Sequence, residues 1–171
     1  DTGYQYADSD LHNPVDLGNH IRYPIFTDDS QSIIYQYVDV QNGLSNISLG
    51  RPKEKMVDFS VLAKMRGDVF SKRIAGQKKV AFYLKPRIDR ESAIETVDIS
   101  SGLKEIIVKQ GLITDATFNP QGTKMVFTQL DDRGNLQLYL SDTNGKNIKQ
   151  LPQTTYIEKL VWDGTSQFIY L

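Results

Sequence analysis

The chain has 171 residues, a length typical of one domain or at most two small ones. Its 20 Lys and Arg residues against 21 Asp and Glu residues give a net charge of -1, which supplies no broad electrostatic attraction to nucleic acid or anionic lipid. With 39% hydrophobic and 10% aromatic residues the chain can form a core, which excludes wholesale disorder, and the absence of Cys excludes disulfides, thiolate metal sites and cysteine nucleophiles.

The two ends of the chain are abrupt. It starts on Asp1 without an initiator Met or a signal-peptide pattern, and it finishes on the apolar run 168–171. Because domains usually finish in polar segments, we expect a processed product or a piece of a longer protein, although a strand that closes a sheet would also explain the apolar end. No apolar run approaches the roughly 18 residues of a membrane helix, so no membrane insertion by this region is expected.

The first repeating unit covers about residues 21–59. An apolar strand over 23–26 leads through a polar turn to a second strand over 33–35. The connection that follows, residues 60–67, is longer than the others and predicts an irregular loop or one helical turn. Its apolar residues, which would pack inward, are Leu62, Ala63 and Met65.

The second unit covers about residues 68–108 and fits the pattern less well. The apolar pair 69–70 leads to a turn at 75–77 and a strand at 80–82. Its turn lacks the Pro found in the corresponding turn of the next unit.

The clearest unit covers residues 113–151 and predicts four antiparallel strands. They are separated by turns that contain Pro-Gln-Gly, Asp-Asp-Arg-Gly-Asn and Asn-Gly, all strong turn signals. The predicted strands are 116–118, 124–128, 136–140 and 147–151. Four antiparallel strands in about 40 residues form one blade of a β-propeller.

The last unit has only its first two strands, 159–162 and 167–171. Two weak strands are also predicted near the start of the chain, at 4–7 and 15–17, and the first of them is similar to the third strand of the clearest unit. Since an open ring would leave unpaired strand edges, we expect residues 1–20 and 155–171 to share one blade.

Aromatic residues recur at two places in these units. Phe26, Phe70, Phe118 and Trp162 lie in the first strands, 44, 48 and 44 residues apart. Tyr35, Phe82, Phe127 and Tyr170 lie in the second strands, 47, 45 and 43 residues apart. Both series indicate a period of about 45 residues, which favours a propeller whose blades are held together by buried rings. An ordinary all-β sandwich with aromatic residues in register by chance is the alternative.

The third unit resembles the repeat of TolB-type β-propellers. The family pattern, Phe-Ser-Pro-Asp-Gly followed by Lys and an apolar strand ending in Phe, corresponds to residues 118–127, and its Gly-Asn-Xaa-Xaa-Ile-Tyr stretch to residues 134–139. Gln121 stands where the family has Asp. The match is partial in the first and last units and poor in the second, and altogether it spans residues 21–171.

This resemblance implies an all-β fold, a β-propeller of four-stranded antiparallel blades. With about 43 residues for each blade, residues 1–171 would form a single propeller domain of about four blades. Because TolB-type propellers commonly have six blades, an arc of a larger ring, truncated or completed by another copy, is the alternative. An arc would expose a large apolar face and favour a homo-oligomer.

Two polar groups are candidates for cation binding. His12 and His20 lie near Asp8, Asp10 and Asp16, but two histidines eight residues apart do not have a recognised ligand spacing, so we interpret them as exposed turn residues. A second group, Asp131, Asp132 and Asn135, offers oxygen ligands for calcium in a loop that is too short for that purpose. We interpret it, like the segment 28–30, as a polar hairpin turn.

A basic stretch and a glycosylation sequon complete the candidates. The stretch contains Phe82 and Tyr83, the residues that single-stranded nucleic acid would stack on. Its cations are Lys78, Lys79, Lys85, Arg87 and Arg90. Because Asp89, Glu91 and Glu95 cancel much of this charge, we interpret the stretch as a solvated edge of the blade and expect no binding of nucleic acid by this domain. The sequon Asn46-Ile47-Ser48 would matter only in a eukaryotic secreted protein.

No nucleophile elbow, phosphate loop or dinucleotide fingerprint occurs in the sequence, so we expect no catalytic residue, no cofactor and no resident metal. The resemblance implies a periplasmic or otherwise extracytoplasmic bacterial domain that binds a protein partner or a small signal ligand. It would be the sensor domain of a membrane-tethered CadC-like winged-helix transcriptional regulator that serves signal transduction, or a free periplasmic TolB-like envelope protein. The propeller part of a prolyl-oligopeptidase-like hydrolase and a structural scaffold are the alternatives. The sequence assigns a binding role to no residue.

Overall fold

The computed structural model describes most of the chain and defines sixteen strands there and no helix. The described residues are 5–6, 15–16, 21–27, 31–39, 41–42, 44–53, 56–66, 69–84, 92–109, 111–152, 157, 159–167 and 169–170. None of these segments forms a helix with the length and hydropathy of a transmembrane span. The chain divides into two compact units, Asp1–Ser71 and Lys72–Leu171.

The first unit contains a two-stranded and a four-stranded antiparallel sheet. Strands β1 (Gln5–Tyr6) and β2 (Val15–Asp16) pair with each other, at the two places where the sequence predicts strands. The four-stranded sheet has its strands in chain order: β3 (Ile21–Phe26), β4 (Ile33–Asp39), β5 (Leu44–Lys53) and β6 (Met56–Arg66). The expectation that residues 1–20 share a blade with residues 155–171 concerns both units and stays a prediction.

The predicted loop or helical turn at residues 60–67 is wrong. Residues 60–66 belong to β6, which pairs with β5 from Lys53 opposite Met56 to Leu44 opposite Arg66. The ten-residue β5 offers backbone hydrogen bonds along its whole length, and a register shift at Ile47 and Ser48 lets the partner strand follow it. The first sheet therefore extends to Arg66 and does not end near residue 59.

The core of this sheet comes from its two central strands. Ile34 and Tyr35 are neighbours on β4 and point to opposite faces, and both are buried, so this strand is covered on both sides. Ile47 and Leu49, two residues apart on β5, are also buried. Burial raises the pKa of the Tyr35 phenol to about 12, so the ring is neutral at physiological pH. Gln36 is also fully buried and donates a hydrogen bond of 2.6 Å from its Nε2 to the Ser45 hydroxyl.

The second unit contains most of two four-stranded antiparallel sheets and a final hairpin. The second sheet has the order β10-β9-β8-β7, and the third has β11 to β14 in chain order. Their strands are β7 (Val69–Arg73), β8 (Lys79–Leu84), β9 (Ala93–Asp98), β10 (Lys104–Lys109), β11 (Leu112–Phe118), β12 (Lys124–Leu130), β13 (Leu136–Asp142) and β14 (Lys149–Leu151). The hairpin joins β15 (Val161–Trp162) and β16 (Ile169–Tyr170).

The third sheet matches the strands predicted for the clearest unit. Both of its faces are covered, since the successive residues Met125, Val126 and Phe127 of β12 point to alternate faces and all three are fully buried. On one face the Phe127 and Tyr139 rings stack with their centroids 5.2 Å apart. On the other face Val126 and Leu138 form a cluster with Ile157 and Leu160, against which Trp162 and Ile169 of the final hairpin pack.

The turn after each first strand shows which residues correspond between units. In the third sheet Phe118 pairs with Met125, and the Gly122 N–H donates to the Asn119 carbonyl. Phe26 pairs with Ile33 and Trp162 pairs with Ile169 in the same way, so these aromatic residues are equivalent.

The second sheet departs from the predicted aromatic series. Its equivalent bond runs from the Gln77 N–H to the Ile74 carbonyl, which places Arg73 and not Phe70 at the position of Phe118. Phe70 lies in the first strand β7, as predicted, but three residues before the equivalent of Phe118. Tyr170 lies in the second strand β16, as predicted, but one residue before the equivalent of Phe127, because Phe127 lies two residues after Met125 whereas Tyr170 directly follows Ile169.

The two aromatic series also differ in burial. Tyr35 and Phe127 of the second strands are 4% and 0% exposed and belong to the core. Phe118 of the first strands is 9% exposed, but Phe26 is 49% exposed. The first-strand position is therefore not a continuous core position.

Within the second unit, neighbouring sheets meet through backbone atoms. A Cβ at Gly122 would overlap the Ala75 carbonyl oxygen, and a Cβ at Gly145 would overlap the Ile107 carbonyl oxygen. The Gln77 Nε2 donates to the Gly122 carbonyl at 2.8 Å and lies 3.3 Å from the Thr143 hydroxyl. The second and third sheets therefore pack closely at places where any side chain would separate them.

The substitution Gly122→Ala tests this packing, with Gly134→Ala as the matched control. Both glycines have a positive φ, +66° and +79°, but nothing lies within 4 Å of a Cβ at Gly134. We expect Gly134→Ala to lower the free energy of unfolding by about 1 kcal/mol, the cost of left-handed backbone alone. Gly122→Ala should lower it by about 3 kcal/mol or more, because the sheets must also separate. Urea denaturation followed by circular dichroism measures both, and equal losses would contradict close packing at Gly122.

Candidate binding site

A cavity of about 370 Å³ opens within the compact unit Lys72–Leu171, at the place where the first strands of three repeats end. Arg73 at the end of β7, Phe118 at the end of β11 and Trp162 at the end of β15 all line it. These are the equivalent positions of three successive units. The last residue of the first strand therefore lines the same cavity in three repeats, and it is a different residue in each of them.

The turns beside the cavity fix these side chains. The Asn119 Oδ1 accepts hydrogen bonds from the Thr123 and Lys124 N–H groups, both at 2.8 Å. Its Nδ2 donates to the Gln121 Oε1 at 3.2 Å and to the Thr123 hydroxyl at 3.1 Å. Because both ends of the Asn119 amide form hydrogen bonds within the turn, they restrict the conformation of the backbone next to Phe118.

The Asp163 carboxylate has the same role in the last unit. Its oxygens accept from the Thr165 N–H at 3.1 Å and from the Gln167 N–H at 2.9 Å, and the Thr165 hydroxyl also donates to it. The residue held by this turn is Trp162, whose Nε1 lies 3.5 Å from the Thr117 carbonyl oxygen. Trp162 is half-buried and forms both a part of the core and a wall of the cavity.

The lining of the cavity combines apolar surface with positive charge. Phe118, Pro120, Leu160, Val161 and Trp162 supply the apolar surface. Arg73 and Lys159 are exposed cations at its border, and no carboxylate belongs to the described lining. The cavity is thus suited to an apolar group that carries or adjoins negative charge.

A second cleft, of about 250 Å³, lies between the second and third sheets. Its lining is polar, with Gln77, Thr96, Thr143 and the ion pair of Lys79 and Glu105 at 3.0 Å. The Gln77 amide is already bonded to the Gly122 carbonyl. Since these charges and amides pair with one another, this cleft attracts a ligand less than the cavity at the strand ends does.

The first group of residues considered for cation binding lies largely outside the described part of the chain. His12, His20, Asp8 and Asp10 lie outside the described residues, as does the segment 28–30; Asp16 lies in β2. Among the residues that the structure describes, no three His, Asp or Glu side chains converge where they could hold a metal ion. The absence of a resident metal or cofactor from the whole chain stays a prediction.

The group at Asp131 forms a self-contained turn. One carboxylate oxygen of Asp131 accepts from the Arg133 and Asn135 N–H groups at 2.9 and 2.8 Å, and the other from the side-chain amides of Asn135 and Gln137 at 3.1 and 3.2 Å. The hydrogen bonds from Asn135, first from its backbone and then from its side chain, hold the pKa of the Asp131 carboxyl below its usual value. These protein donors occupy the oxygens that a calcium ion would need, so the predicted polar hairpin turn is confirmed.

The basic stretch is described only in part. Lys85, Arg87 and Arg90 lie outside the described residues, together with Asp89 and Glu91. Phe82 and Tyr83 lie in β8, Lys78 is exposed, and Lys79 forms the ion pair with Glu105. The strand β8 lies inside the second sheet, between β7 and β9, so its described residues do not form an edge of that sheet. The predicted solvated edge stays a prediction for residues 85–91.

The sequon is not an accessible loop. Asn46, Ile47 and Ser48 lie in the middle of β5, which pairs with β4 on one side and with β6 on the other. Ile47 and Ser48 are 0% and 4% exposed.

The sequence did not reveal this cavity. The aromatic series places Phe118 and Trp162 in the core, and it does not distinguish the cations Arg73 and Lys159. A signal was present, because an alignment of the units on their turns instead of their aromatic residues places Arg73 opposite Phe118 and Trp162.

The repeated four-stranded antiparallel sheets define a β-propeller fold. No protein-family model and no curated protein sequence matches the chain. Among solved structures it is similar to TolB from Acinetobacter baumannii, with a TM-score of 0.72 and 20% identity over 96% of this chain and 41% of that one. A putative TolB from Agrobacterium tumefaciens gives a TM-score of 0.65 and 16% identity over 84% of this chain and 51% of that one.

Propellers of enzymes are similar as well. The β-propeller domain of the Trilobed protease from Pyrococcus furiosus gives a TM-score of 0.58 and 17% identity, over 84% of this chain and 45% of that one. At these identities the likeness establishes a TolB-like propeller fold and no activity. The chain spans between two-fifths and about half of the length of these three structures.

The substitution Asp131→Asn tests the turn, with Asp132→Asn as the matched control. Asp132 is exposed, and none of the described residues forms a hydrogen bond to its carboxylate. A carboxyl whose pKa is lowered by folding stabilises the folded state above its ordinary pKa of about 3.9, and this stability is lost as the pH falls through the folded pKa. We therefore expect Asp131→Asn to lower the unfolding temperature at neutral pH, and the difference from wild type to shrink below about pH 4. Thermal melts across this pH range check it, and a constant difference, or an equal one for Asp132→Asn, would contradict it.

Proposed function

We propose that this chain is a non-enzymatic propeller domain that binds a protein partner at the cavity formed by the ends of β7, β11 and β15. One observation carries the proposal: Arg73, Phe118 and Trp162, the equivalent residues of three units, converge on the same open cavity. Propellers present such strand ends around a central channel, where partners can dock.

The form of the cavity favours a segment of a protein over an enclosed small molecule. Sites for small molecules bury most of the ligand in a deep cleft. Here Arg73, Pro120, Lys159 and Val161 are exposed at the border, and Val161 is 41% exposed. A surface with a half-buried Trp, an Arg and an apolar floor has the composition of a protein-binding hot spot.

The same lining argues against catalysis at this place. The residues described there include no His, Asp, Glu or Cys that could act as a general acid, a general base or a thiolate nucleophile. The fold is also that of TolB, which supports a binding role by analogy only.

For the setting of the domain we propose the extracytoplasmic side of a bacterial cell. The support is the resemblance of residues 118–139 to the TolB-type repeat together with the TolB-like fold. In this setting the chain would be the external sensor part of a membrane-tethered transcriptional regulator. A free periplasmic envelope protein is the other form of the same proposal.

A second candidate is the propeller part of a hydrolase. The similarity to the propeller domain of the Trilobed protease favours it. The coding sequence on both sides of this segment separates the candidates. A winged-helix region and about 20 apolar residues upstream would support the regulator. A signal peptide would support the free protein, and a downstream Gly-Xaa-Ser-Xaa-Gly would overturn the non-enzymatic proposal.

A photo-crosslinking residue at position 161 tests partner binding, with position 106 as the matched control. Both positions hold exposed aliphatic side chains in strands, but Val161 lines the cavity and Ile106 lies on the outermost strand of the second sheet. In cells of the source organism that express the full-length protein, we expect a discrete adduct from position 161 and none from position 106. Adducts that are equal from the two positions, or absent from both, would overturn the proposed site.

A further inference from the structure

We propose that the cavity recognises a peptide segment in which an apolar side chain is flanked by carboxylates. This inference rests on the proposed function, since it names the chemistry of the partner that binds there. It follows from three properties of the described lining: its charge, its apolar floor and its lack of uncommitted polar groups.

The charge of the lining selects an anion. Arg73 and Lys159 stand on the border of the cavity, and its described lining contains no acidic side chain. The whole chain carries a net charge of -1, so this positive potential is local and not part of a general attraction to polyanions. A carboxylate beside the cavity would therefore gain a favourable interaction that a neutral group would not.

The floor of the cavity selects an apolar group. Trp162 and Phe118 contribute aromatic surface, and Leu160 and Pro120 contribute aliphatic surface. Both aromatic residues are held by hydrogen-bonded turns, at Asn119 and Asp163, so little conformational entropy is lost when a ligand packs on them. A volume of about 370 Å³ has room for a few side chains and no more.

Most of the uncharged polar side chains of the lining already form hydrogen bonds within the protein. The Asn119 amide is bonded to its own turn, and the Trp162 Nε1 points at the Thr117 carbonyl oxygen. Few fixed donors are then left to recognise a particular backbone or base pattern. Recognition thus depends on charge and apolar contact, and a short acidic segment with an apolar residue satisfies both.

Trp162 makes the cavity directly observable, since it is the only Trp in the chain. Iodide and caesium ions should quench its fluorescence to different degrees, because the cations attract iodide and repel caesium. Each quenching constant is divided by that of free N-acetyltryptophanamide in the same buffer, because iodide quenches indole more efficiently than caesium does. We expect the corrected iodide-to-caesium ratio to exceed one at constant ionic strength, and Lys159→Ala to reduce it while Lys104→Ala leaves it unchanged. A corrected ratio of one in wild type would overturn the local positive potential.

Peptide titrations then test the ligand class. The probes are the blocked tripeptides Asp-Phe-Asp, Asn-Phe-Asn and Lys-Phe-Lys, with Trp162 fluorescence as the readout. We expect the acidic peptide to bind about tenfold more tightly than the neutral one at low salt, and this preference to shrink as salt is added. Lys159→Ala should weaken the acidic peptide severalfold and leave the neutral one unchanged, whereas Lys104→Ala should affect neither.

Three outcomes would overturn the inference. Equal binding of the acidic and neutral peptides removes the role of charge, and equal binding to wild type and Lys159→Ala places the peptide elsewhere. Tighter binding of a short oligothymidylate than of the acidic peptide would assign the cavity to single-stranded nucleic acid. A discrete adduct from position 161 together with either of the first two results would leave the proposed function standing while this inference fails. No adduct from that position would overturn the proposed function itself.

Discussion

The hydrogen-bonded turn that follows each first strand is the constraint on which the other features depend. In the third sheet Asn119 binds the N–H groups of Thr123 and Lys124, and in the last unit Asp163 does the same for Thr165 and Gln167. In the first sheet the Thr27 hydroxyl accepts from the Ser32 N–H at 3.1 Å. These turns set the register between the first and second strands of each repeat. They also hold the backbone of the residue just before the turn, and in the compact unit Lys72–Leu171 that residue lines the cavity.

The second sheet shows how this constraint can be met in another way. Ile74 stands at the capping position and has no polar side chain to bind the N–H groups of the turn. The backbone bond of the turn is kept, from the Gln77 N–H to the Ile74 carbonyl, and the Gln77 side chain donates to the Gly122 carbonyl of the neighbouring sheet. This turn therefore has a side-chain bond between sheets where the turn of the third sheet has a side-chain cap. The missing polar residue is one reason why the sequence pattern is poorest here although the four-stranded sheet is complete.

The sequence predicts the strands and turns of the third sheet because its hairpin signals are strong and local. It fails at residues 60–66, where the partner strand β5 and not local propensity decides the conformation. It places Phe70 in the correct strand but three residues away from the position equivalent to Phe118, because the units are aligned on their aromatic residues and not on their turns. The cavity could not be predicted, because it depends on three strand ends that are brought together only by the stacking of units. Lys159 in particular has no cationic equivalent, since Phe70 and Asp115 stand three residues before Arg73 and Phe118.

Several contacts between neighbouring sheets involve main-chain oxygens, in addition to the apolar cluster around Val126 and Leu138. Gly122 faces the Ala75 carbonyl, Gly145 faces the Ile107 carbonyl, Gln77 binds the Gly122 carbonyl and Trp162 approaches the Thr117 carbonyl. Backbone oxygens are present whatever the side chains are. Strand positions outside the buried core can therefore diverge as long as the glycines and a few donors persist. This freedom accounts for a fold that stays recognisable at 20% identity to a solved propeller while matching no family sequence pattern.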